Sequence, residues 1–122
     1  MALLRILVVE DDAVIATLIA DTLEVMGHSV CAIAQTESEA VAAAMAQRPD
    51  LMIVDEHLSE GTGRRAIRRI ERDGPVPHIF MTGDTASALE GDTPGATTLR
   101  KPFQDQDLAR AIERVLDRDR AA

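Results

Sequence analysis

The sequence predicts an α/β domain, a three-layer sandwich in which helices cover both faces of a five-stranded parallel sheet. Short apolar runs alternate with amphipathic stretches along the chain, which is typical of strands joined by helical crossovers. The 122 residues fit one domain and leave no room for a second. Hydrophobic residues make up 46% of the chain and charged residues 28%, an ordinary globular composition.

Four apolar runs and one weaker run predict the five strands. They are, in order, Ile6–Val9, Val30–Ala34, Leu51–Val54, Pro77–Met81 and the weaker Ala96–Leu99. The second strand carries the single cysteine, Cys31, which we expect to be a small core residue.

Apolar residues at helical spacing predict the helices. In the first helix, which stops at Gly27, these residues are Val14, Leu18, Ile19 and Leu23. A capping box of Thr36 and Glu39 opens the second helix, which ends before Pro49. The third helix runs from Gly63 to Arg72, with Ile67 and Ile70 inward. The last helix is capped by Asp105 and carries Leu108, Ile112, Val115 and Leu116.

The segment between Thr85 and Gly95 gives the weakest helical pattern in the chain. Gly91, Pro94 and Gly95 interrupt it, so we expect a short or mobile fourth helix there.

Composition excludes several classes of function. The net charge of -8 opposes binding to phosphate backbones and anionic membranes, and the aromatic content of 2% offers no base-stacking platform. No apolar run reaches the length of a membrane span, and no signal peptide precedes the first strand. One cysteine cannot form an internal disulfide, so we expect a cytoplasmic protein. We therefore expect no contact with nucleic acid or membrane.

Polar residues follow four of the predicted strands where the carboxyl ends of the strands meet. They are Glu10, Asp11 and Asp12, then Asp55, Glu56 and His57, then Thr82, Gly83 and Asp84, and finally Lys101. Crowded carboxylates repel one another and favour a bound cation, and Mg²⁺ prefers such oxygen ligands. With an ammonium and a hydroxyl nearby, these are the parts needed for phosphoryl transfer to an aspartate.

Lys101 is the only lysine beside twelve arginines, and its compact charge suits a contact to phosphate. Taken singly, Lys101 fits a surface lysine, Asp55 a helix cap and Thr82 a turn residue, but their joint placement favours a site. We assign Asp12 to the helix N-terminus. His57 fits a loop residue shaping access to Asp55 better than a ligand through its ring.

The third helix is basic, and a solvated face is a simpler interpretation of it than a docking patch for an acidic partner. Its arginines are Arg64, Arg65, Arg68, Arg69 and Arg72.

Four motifs, in order and spread over the whole chain, resemble the response-regulator receiver domain. These motifs are Glu10-Asp11 after Ile6–Val9, Asp55 after Leu51–Val54, Thr82 after Ile79–Met81, and Lys101-Pro102-Phe103. The resemblance implies a flavodoxin-like receiver fold with strand order 2-1-3-4-5, the order that receivers illustrate for this class of sheet. It also implies that residues 1–122 form one receiver domain without an output domain.

The resemblance implies that Asp55 accepts a phosphoryl group from a sensor histidine kinase or a histidine phosphotransfer protein. Thr82 and Lys101 would hold the phosphoryl oxygens, and the peptide bond from Lys101 to Pro102 would be cis. Such a protein is not a classical enzyme; it promotes its own phosphotransfer and later its own dephosphorylation.

The resemblance also implies the metal ligands. Asp11 and Asp55, with the backbone carbonyl of His57, would bind Mg²⁺, and Glu10 would act through water. Asp84 and His57 would flank the path of attacking water and tune the lifetime of the phosphate.

Thr98 departs from the common receiver, because most members carry an aromatic switch residue three positions before the lysine. The run Pro77–Gly83, the weak fourth helix and the run Leu99–Phe103 together resemble the receiver subgroup nicknamed FATGUY, whose members often lack the ring. Without a ring to rotate, we expect phosphorylation to order or shift residues 85–95 instead.

The pathway role stays open between three alternatives. The chain could signal to a downstream protein partner or act as a phosphate sink or shuttle. The third alternative is a degenerate receiver that binds partners without phosphorylation, although the intact acidic pair, Asp55 and Lys101 argue against it. We expect a monomer or at most a weak dimer.

Overall fold

Five strands form a single parallel sheet. They are β1 (Arg5–Val9), β2 (Ser29–Ala34), β3 (Leu51–Asp55), β4 (His78–Thr82) and β5 (Thr97–Arg100). Their order in the sheet is β2-β1-β3-β4-β5, and every neighbouring pair is parallel. The predicted α/β fold and strand order are confirmed.

The structure, a computed structural model, describes residues 3–83 and 97–121, with side chains described as far as residue 118. The predicted short helix at residues 85–95, and Asp84 with it, lies outside this part of the chain. The helices within the described residues are α1 (Ala13–Val25), α2 (Glu37–Gln47), α3 (Gly63–Ile70) and α4 (Asp105–Ala121). A short 3-10 turn, Glu71–Asp73, follows α3.

The sheet separates two hydrophobic layers, and alternation along each strand decides which layer a side chain enters. Ile6 and Val8 of β1 pack in the layer under α1 and α4, whereas Leu7 and Val9 pack in the layer under α2 and α3. Every second residue therefore faces the same layer. The same alternation decides which layer each polar residue at the end of a strand faces.

The predicted helix caps at the start of α1 and α2 are confirmed. The Asp12 carboxylate accepts hydrogen bonds from the backbone N–H groups of Val14 and Ile15 at 2.9 and 3.1 Å. Thr36 accepts one from the Glu39 N–H, and the Glu39 carboxylate accepts one from the Gln35 N–H, so the two side chains together close the box.

Three predictions about the helices need correction. Val14 and Leu18 of α1 are 69% and 61% exposed, because Ala16, Ile19, Ala20 and Leu23 form the inward stripe instead. Helix α3 ends at Ile70 rather than Arg72, because its last turn tightens into the 3-10 turn Glu71–Asp73, which Gly74 closes with a positive φ before Pro75. Asp105 is the first residue of α4 rather than its cap, and the carbonyl of Gln104 accepts from the Leu108 N–H.

Cys31 also differs from the prediction. It packs against the α2–α3 layer of the core but is only half-buried, because β2 lies at the edge of the sheet, and its thiol donates to the carbonyl of Ile6 at 3.4 Å.

Candidate functional site

The carboxyl ends of β1 and β3 and the residue after β5 bring three charged side chains together. The Lys101 ammonium donates to Glu10 Oε1 at 3.0 Å and to Asp55 Oδ2 at 2.9 Å. The alternation of side chains along each strand explains why these three residues lie close together. Glu10, Asp55 and Lys101 each follow a strand at a position that faces the α1–α4 layer. The ammonium therefore bridges two carboxylates that would otherwise repel each other.

Glu10 is the most deeply buried charged group of the site, with 1% of its surface exposed. Both of its oxygens are bound: Oε1 by Lys101 and Oε2 by the backbone N–H of Asp12 at 3.1 Å. Burial nevertheless raises its pKa, and the nearby carboxylates of Asp11 and Asp55 add to the rise, which the two hydrogen bonds only partly offset. A cation bound beside Glu10 would stabilise the ionised form of its carboxylate.

Asp11 completes an acidic cluster with Glu10 and Asp55. One carboxylate oxygen from each residue lies within 4.8 Å of the others. Asp11 is half-buried, so the cluster opens to solvent on its side. Three carboxylate oxygens at this separation fit a hard divalent cation such as Mg²⁺, which accepts carboxylates together with water.

Lys101 is held on both its backbone and its side chain. Its N–H donates to the carbonyl of Thr82 at 2.8 Å, and the peptide bond to Pro102 is cis, as the resemblance implied. Burial alone would lower the pKa of the ammonium, but its hydrogen bonds to Asp55 and Glu10 outweigh burial and raise the pKa. Lys101 is therefore charged at neutral pH.

Thr82 lies at the carboxyl end of β4 and is fully buried. Its neighbour in the register is Arg100 of β5, so it stands beside the residue that precedes Lys101. Thr98, which replaces the switch ring, is half-buried in β5, and its hydroxyl has no hydrogen-bond partner among the described residues.

The turn between β3 and α3 fixes the position of Asp55. The N–H of His57 donates to Asp55 Oδ1 at 3.2 Å, which orients the carboxylate, while the His57 side chain is exposed. His57 also pairs with Thr62 in a short antiparallel bridge that closes the turn. Gly63 lies so close to the backbone of Asp55 that a Cβ there would meet the Asp55 carbonyl oxygen at 2.2 Å.

A second set of contacts joins the same turn to α2. Glu37 Oε1 accepts from the Thr62 N–H at 3.1 Å, and Glu37 Oε2 accepts from Arg69 at 3.0 Å. These hydrogen bonds lower the pKa of Glu37, the one from Thr62 most strongly. The α2 N-terminus thus supports the segment that carries His57.

The sequence placed Glu56 at the end of a strand and Arg64 on a basic helix, but it did not predict that the two residues pair. Glu56 is buried and pairs with Arg64 at 2.9 Å, so Arg64 is not part of a fully solvated face. Arg69 is likewise paired, with Glu37, whereas Arg65, Arg68 and Arg72 are exposed as expected. Glu56 and Arg64 are eight residues apart and separated by a turn, a spacing that matches no helix or strand periodicity. Only the folded structure therefore reveals the pair.

An open groove lies beside Lys101, between α1 and the start of α4. It has a volume of about 540 Å³, and its lining is mostly apolar. The residues that line it near the site are Ile15, Leu18, Ile19, Lys101, Pro102 and Phe103.

A sequence profile described as the response regulator receiver domain matches residues 6–113. The chain belongs to this family. Receiver domains are phosphoacceptors of two-component systems, and they bind Mg²⁺ at an acidic pocket of the kind that Glu10, Asp11 and Asp55 form here.

The relatives include several regulators named PhyR. The phyllosphere-induced regulator PhyR of Methylorubrum extorquens is 34% identical over 115 residues, which is 92% of this chain and 43% of that protein. The anti-anti-sigma factor PhyR of Bartonella quintana matches in structure with a TM-score of 0.88 at 28% identity, over 99% of this chain and 50% of that one.

The receiver domain of Erythrobacter litoralis PhyR matches with a TM-score of 0.85 at 28% identity, over 95% of this chain and 92% of that one. The chain spans about half the length of the curated relatives it matches. Among the described residues, no helix is both long enough and apolar enough to cross a membrane.

Proposed function

We propose that this receiver takes a phosphoryl group onto Asp55 in a Mg²⁺-dependent reaction. The observation that carries the proposal is the position of the Asp55 carboxylate, whose two oxygens accept from the Lys101 ammonium and the His57 N–H beside the acidic cluster. A carboxylate held in this way is a prepared nucleophile.

Each residue then has a stated role in the transfer. A carboxylate oxygen of Asp55 attacks phosphorus, the bond from phosphorus to the donor's imidazole nitrogen breaks, and the imidazole keeps the electron pair. Lys101 lies within reach of a phosphoryl oxygen on Asp55, and Thr82 would bind another. Asp11 and Asp55, with the His57 carbonyl, would hold Mg²⁺, and Glu10 would act through water. The bound ion would neutralise the charge on the transferring group.

The groove beside Lys101 favours a histidine kinase or histidine phosphotransfer protein as donor. A donor must bring its phosphohistidine to Asp55, so its surface must cover what surrounds Asp55. Ile15 and Leu18 are apolar and exposed, and they line the groove together with Lys101. An apolar helix face on the donor would bury them while its imidazole reaches the site.

Incubation with Mg²⁺ and a small acyl phosphate tests the acceptor. Mass spectrometry should find one added phosphoryl group on the wild type and none on Asp55→Asn. Asp21→Asn, the same change at an exposed aspartate of α1, is the matched control and should be phosphorylated normally. Phosphorylation of Asp55→Asn to the wild-type extent would overturn the proposal.

Lys101→Arg tests the phosphoryl contact without removing charge. The guanidinium is larger and directs its donors differently, so phosphorylation should slow strongly. A wild-type rate in this variant would argue that Lys101 does not touch the phosphoryl group.

The phosphate lifetime separates the pathway roles. A lifetime of seconds favours a sink or shuttle, and hours favour a stable signal to a partner protein. The likeness to PhyR, one member of which is called an anti-anti-sigma factor, supports signalling through a protein partner. Partner binding that is unchanged in Asp55→Asn would support the degenerate alternative.

A further inference from the structure

A buried glutamate, Glu56, directly follows Asp55 in the chain and lies outside the acidic cluster. Alternation along β3 turns Glu56 away from the acidic cluster and toward α3. Its Oε1 accepts from Arg64 Nε at 2.9 Å, and its buried Oε2 has no hydrogen-bond partner among the described residues. Burying a carboxylate with one oxygen unpaired costs free energy, so fold stability alone explains this residue poorly.

Arg64 connects Glu56 to strand β4. Its guanidinium carbon lies 4.9 Å from the centroid of the Phe80 ring. Phe80 is buried two residues before Thr82, and its ring packs edge-on against His78 at 5.0 Å. A planar guanidinium can bind a carboxylate at its edge while its face rests on a ring, which an ammonium cannot do.

The backbone of Glu56 is held by the same two elements. Its N–H donates to the carbonyl of Met81 in β4 at 3.0 Å, and its carbonyl accepts from the N–H of Gly63 in α3 at 3.1 Å. The Arg64 side chain joins these two supports. The turn that carries Asp55 and His57 is therefore anchored directly behind the acceptor.

We propose that Glu56 and Arg64 are positioning residues for phosphoryl transfer at Asp55. Their ion pair, resting on Phe80, holds the β3–α3 turn so that the Asp55 carboxylate and the His57 carbonyl keep their places. In the part of the chain that the structure describes, neither side chain is bonded to Asp55 or the acidic cluster, and both act through the backbone of the turn. The inference rests on the proposed function.

Single substitutions test the pair. Glu56→Gln keeps the shape and removes the charge, and Arg64→Lys keeps the charge and removes the planar contact to Phe80. Each should lower the rate of phosphorylation at saturating acyl phosphate and Mg²⁺ by roughly tenfold. A loss of this size is expected when a reacting group is displaced by a fraction of an ångström. Arg68→Lys, at an exposed position of the same helix, is the matched control and should leave the rate unchanged.

Titration calorimetry with Mg²⁺ alone gives a readout that does not depend on phosphorylation. A shifted His57 carbonyl should weaken Mg²⁺ binding by roughly tenfold, as the loss of supports behind metal ligands does. An unchanged Mg²⁺ affinity and phosphorylation rate in both single variants would overturn the proposal.

A double variant separates positioning from stability. Glu56→Leu combined with Arg64→Met replaces the pair by apolar groups, which is often neutral for folding. If the pair positions the turn, the urea-unfolding free energy of the double variant should lie near the wild-type value. Its phosphorylation rate and Mg²⁺ affinity should stay as low as in the single variants. Recovery of all three would show that the pair only stabilises the fold.

The outcomes separate this inference from the proposed function. If the wild type is not phosphorylated at Asp55, the proposed function fails, and Mg²⁺ affinity still decides whether the pair positions the turn. If a single variant does not fold by circular dichroism, the double variant decides in the same way.

Discussion

Two buried glutamates, Glu10 and Glu56, lie at the same edge of the sheet in different environments. Glu10 faces the α1–α4 layer, where Lys101 and a backbone N–H bind its two oxygens and further carboxylates lie close by. Glu56 faces the α2–α3 layer, where Arg64 covers one oxygen. The first environment is open to a cation, and the second is closed by an arginine. The layer that a strand-end acid enters therefore matters as much as its charge.

The basic residues that pair with the two glutamates also differ, in chemistry and in surroundings. Lys101 is a compact ammonium shared between two carboxylates, so a phosphoryl oxygen can replace one of its contacts. Arg64 is half-buried against a ring and a carboxylate, and its geometry suits permanent support. Under the two proposals made above, Glu10 and Lys101 belong to a reactive cluster and Glu56 and Arg64 to a supporting one, and each cluster can be disturbed independently.

Lys101→Met should have the largest effect on folding. Without the ammonium, Glu10 and Asp55 are left buried and facing each other, and we expect a loss of about 3 kcal/mol in metal-free unfolding free energy. Mg²⁺ should restore part of the loss, because a cation again neutralises the carboxylates. Urea unfolding followed by circular dichroism, with and without Mg²⁺, measures both effects. A loss unaffected by Mg²⁺ would contradict the assignment of the cluster.

Gly63→Ala should disturb the supporting side. A Cβ there would meet the Asp55 carbonyl oxygen at 2.2 Å and Val54 Cγ1 at 2.6 Å, so α3 must move away from β3. Overpacking of this kind costs about 2 kcal/mol, and phosphorylation should slow as the acceptor shifts. Gly83→Ala is the stability control, since a Cβ there meets none of the described residues within 4 Å. Equal stability of the two variants would contradict this prediction.

The reactive cluster could be predicted from the sequence, whereas the supporting one could not. Parallel strands bring their carboxyl ends together, so Glu10, Asp55 and Lys101 were expected to meet once the strands were recognised. The pair of Glu56 and Arg64 depends on the direction of two side chains across a turn, which neither periodicity nor spacing encodes.

The exposed residues of α1 show a second limit of prediction from the sequence. Val14 and Leu18 share the helical spacing of Ile19 and Leu23, so periodicity alone allows more than one inward stripe. Small residues settle the choice, because Ala16 and Ala20 let the helix approach the sheet on their side. Of the two exposed residues, Leu18 lines the groove beside Lys101.

Asp11→Asn should have a smaller effect, of opposite sign, on the reactive side. Removing one carboxylate of the cluster relieves repulsion and should raise metal-free stability by about 0.5 kcal/mol, since Asp11 is half-exposed and solvent screens its charge. The stabilisation by Mg²⁺ should disappear with the lost ligand. Thermal melts with and without Mg²⁺ measure both, and an unchanged Mg²⁺ response would remove Asp11 from the ligand set.

His28 gives the smallest expected effect and extends the comparison to a buried polar group away from the site. Its Nδ1 accepts from the Leu4 N–H at 3.2 Å, which requires the neutral ring, and burial lowers its pKa below the ordinary 6.5. Below pH 6.5 the unfolded chain therefore takes up a proton that the folded chain resists. The stability that His28 contributes is present above that pH and is lost as the pH falls through its lower folded-state pKa.

His28→Gln should flatten this pH dependence, because the amide oxygen can still accept from Leu4 and does not titrate. The measurement is the difference in urea-unfolding free energy between about pH 7.5 and about pH 5.5, the range over which an ordinary histidine changes charge. His57 and His78 are present in both proteins, so their contributions cancel in the comparison. An equal decline in wild type and variant would contradict the prediction that burial lowers the pKa of His28 in the folded protein.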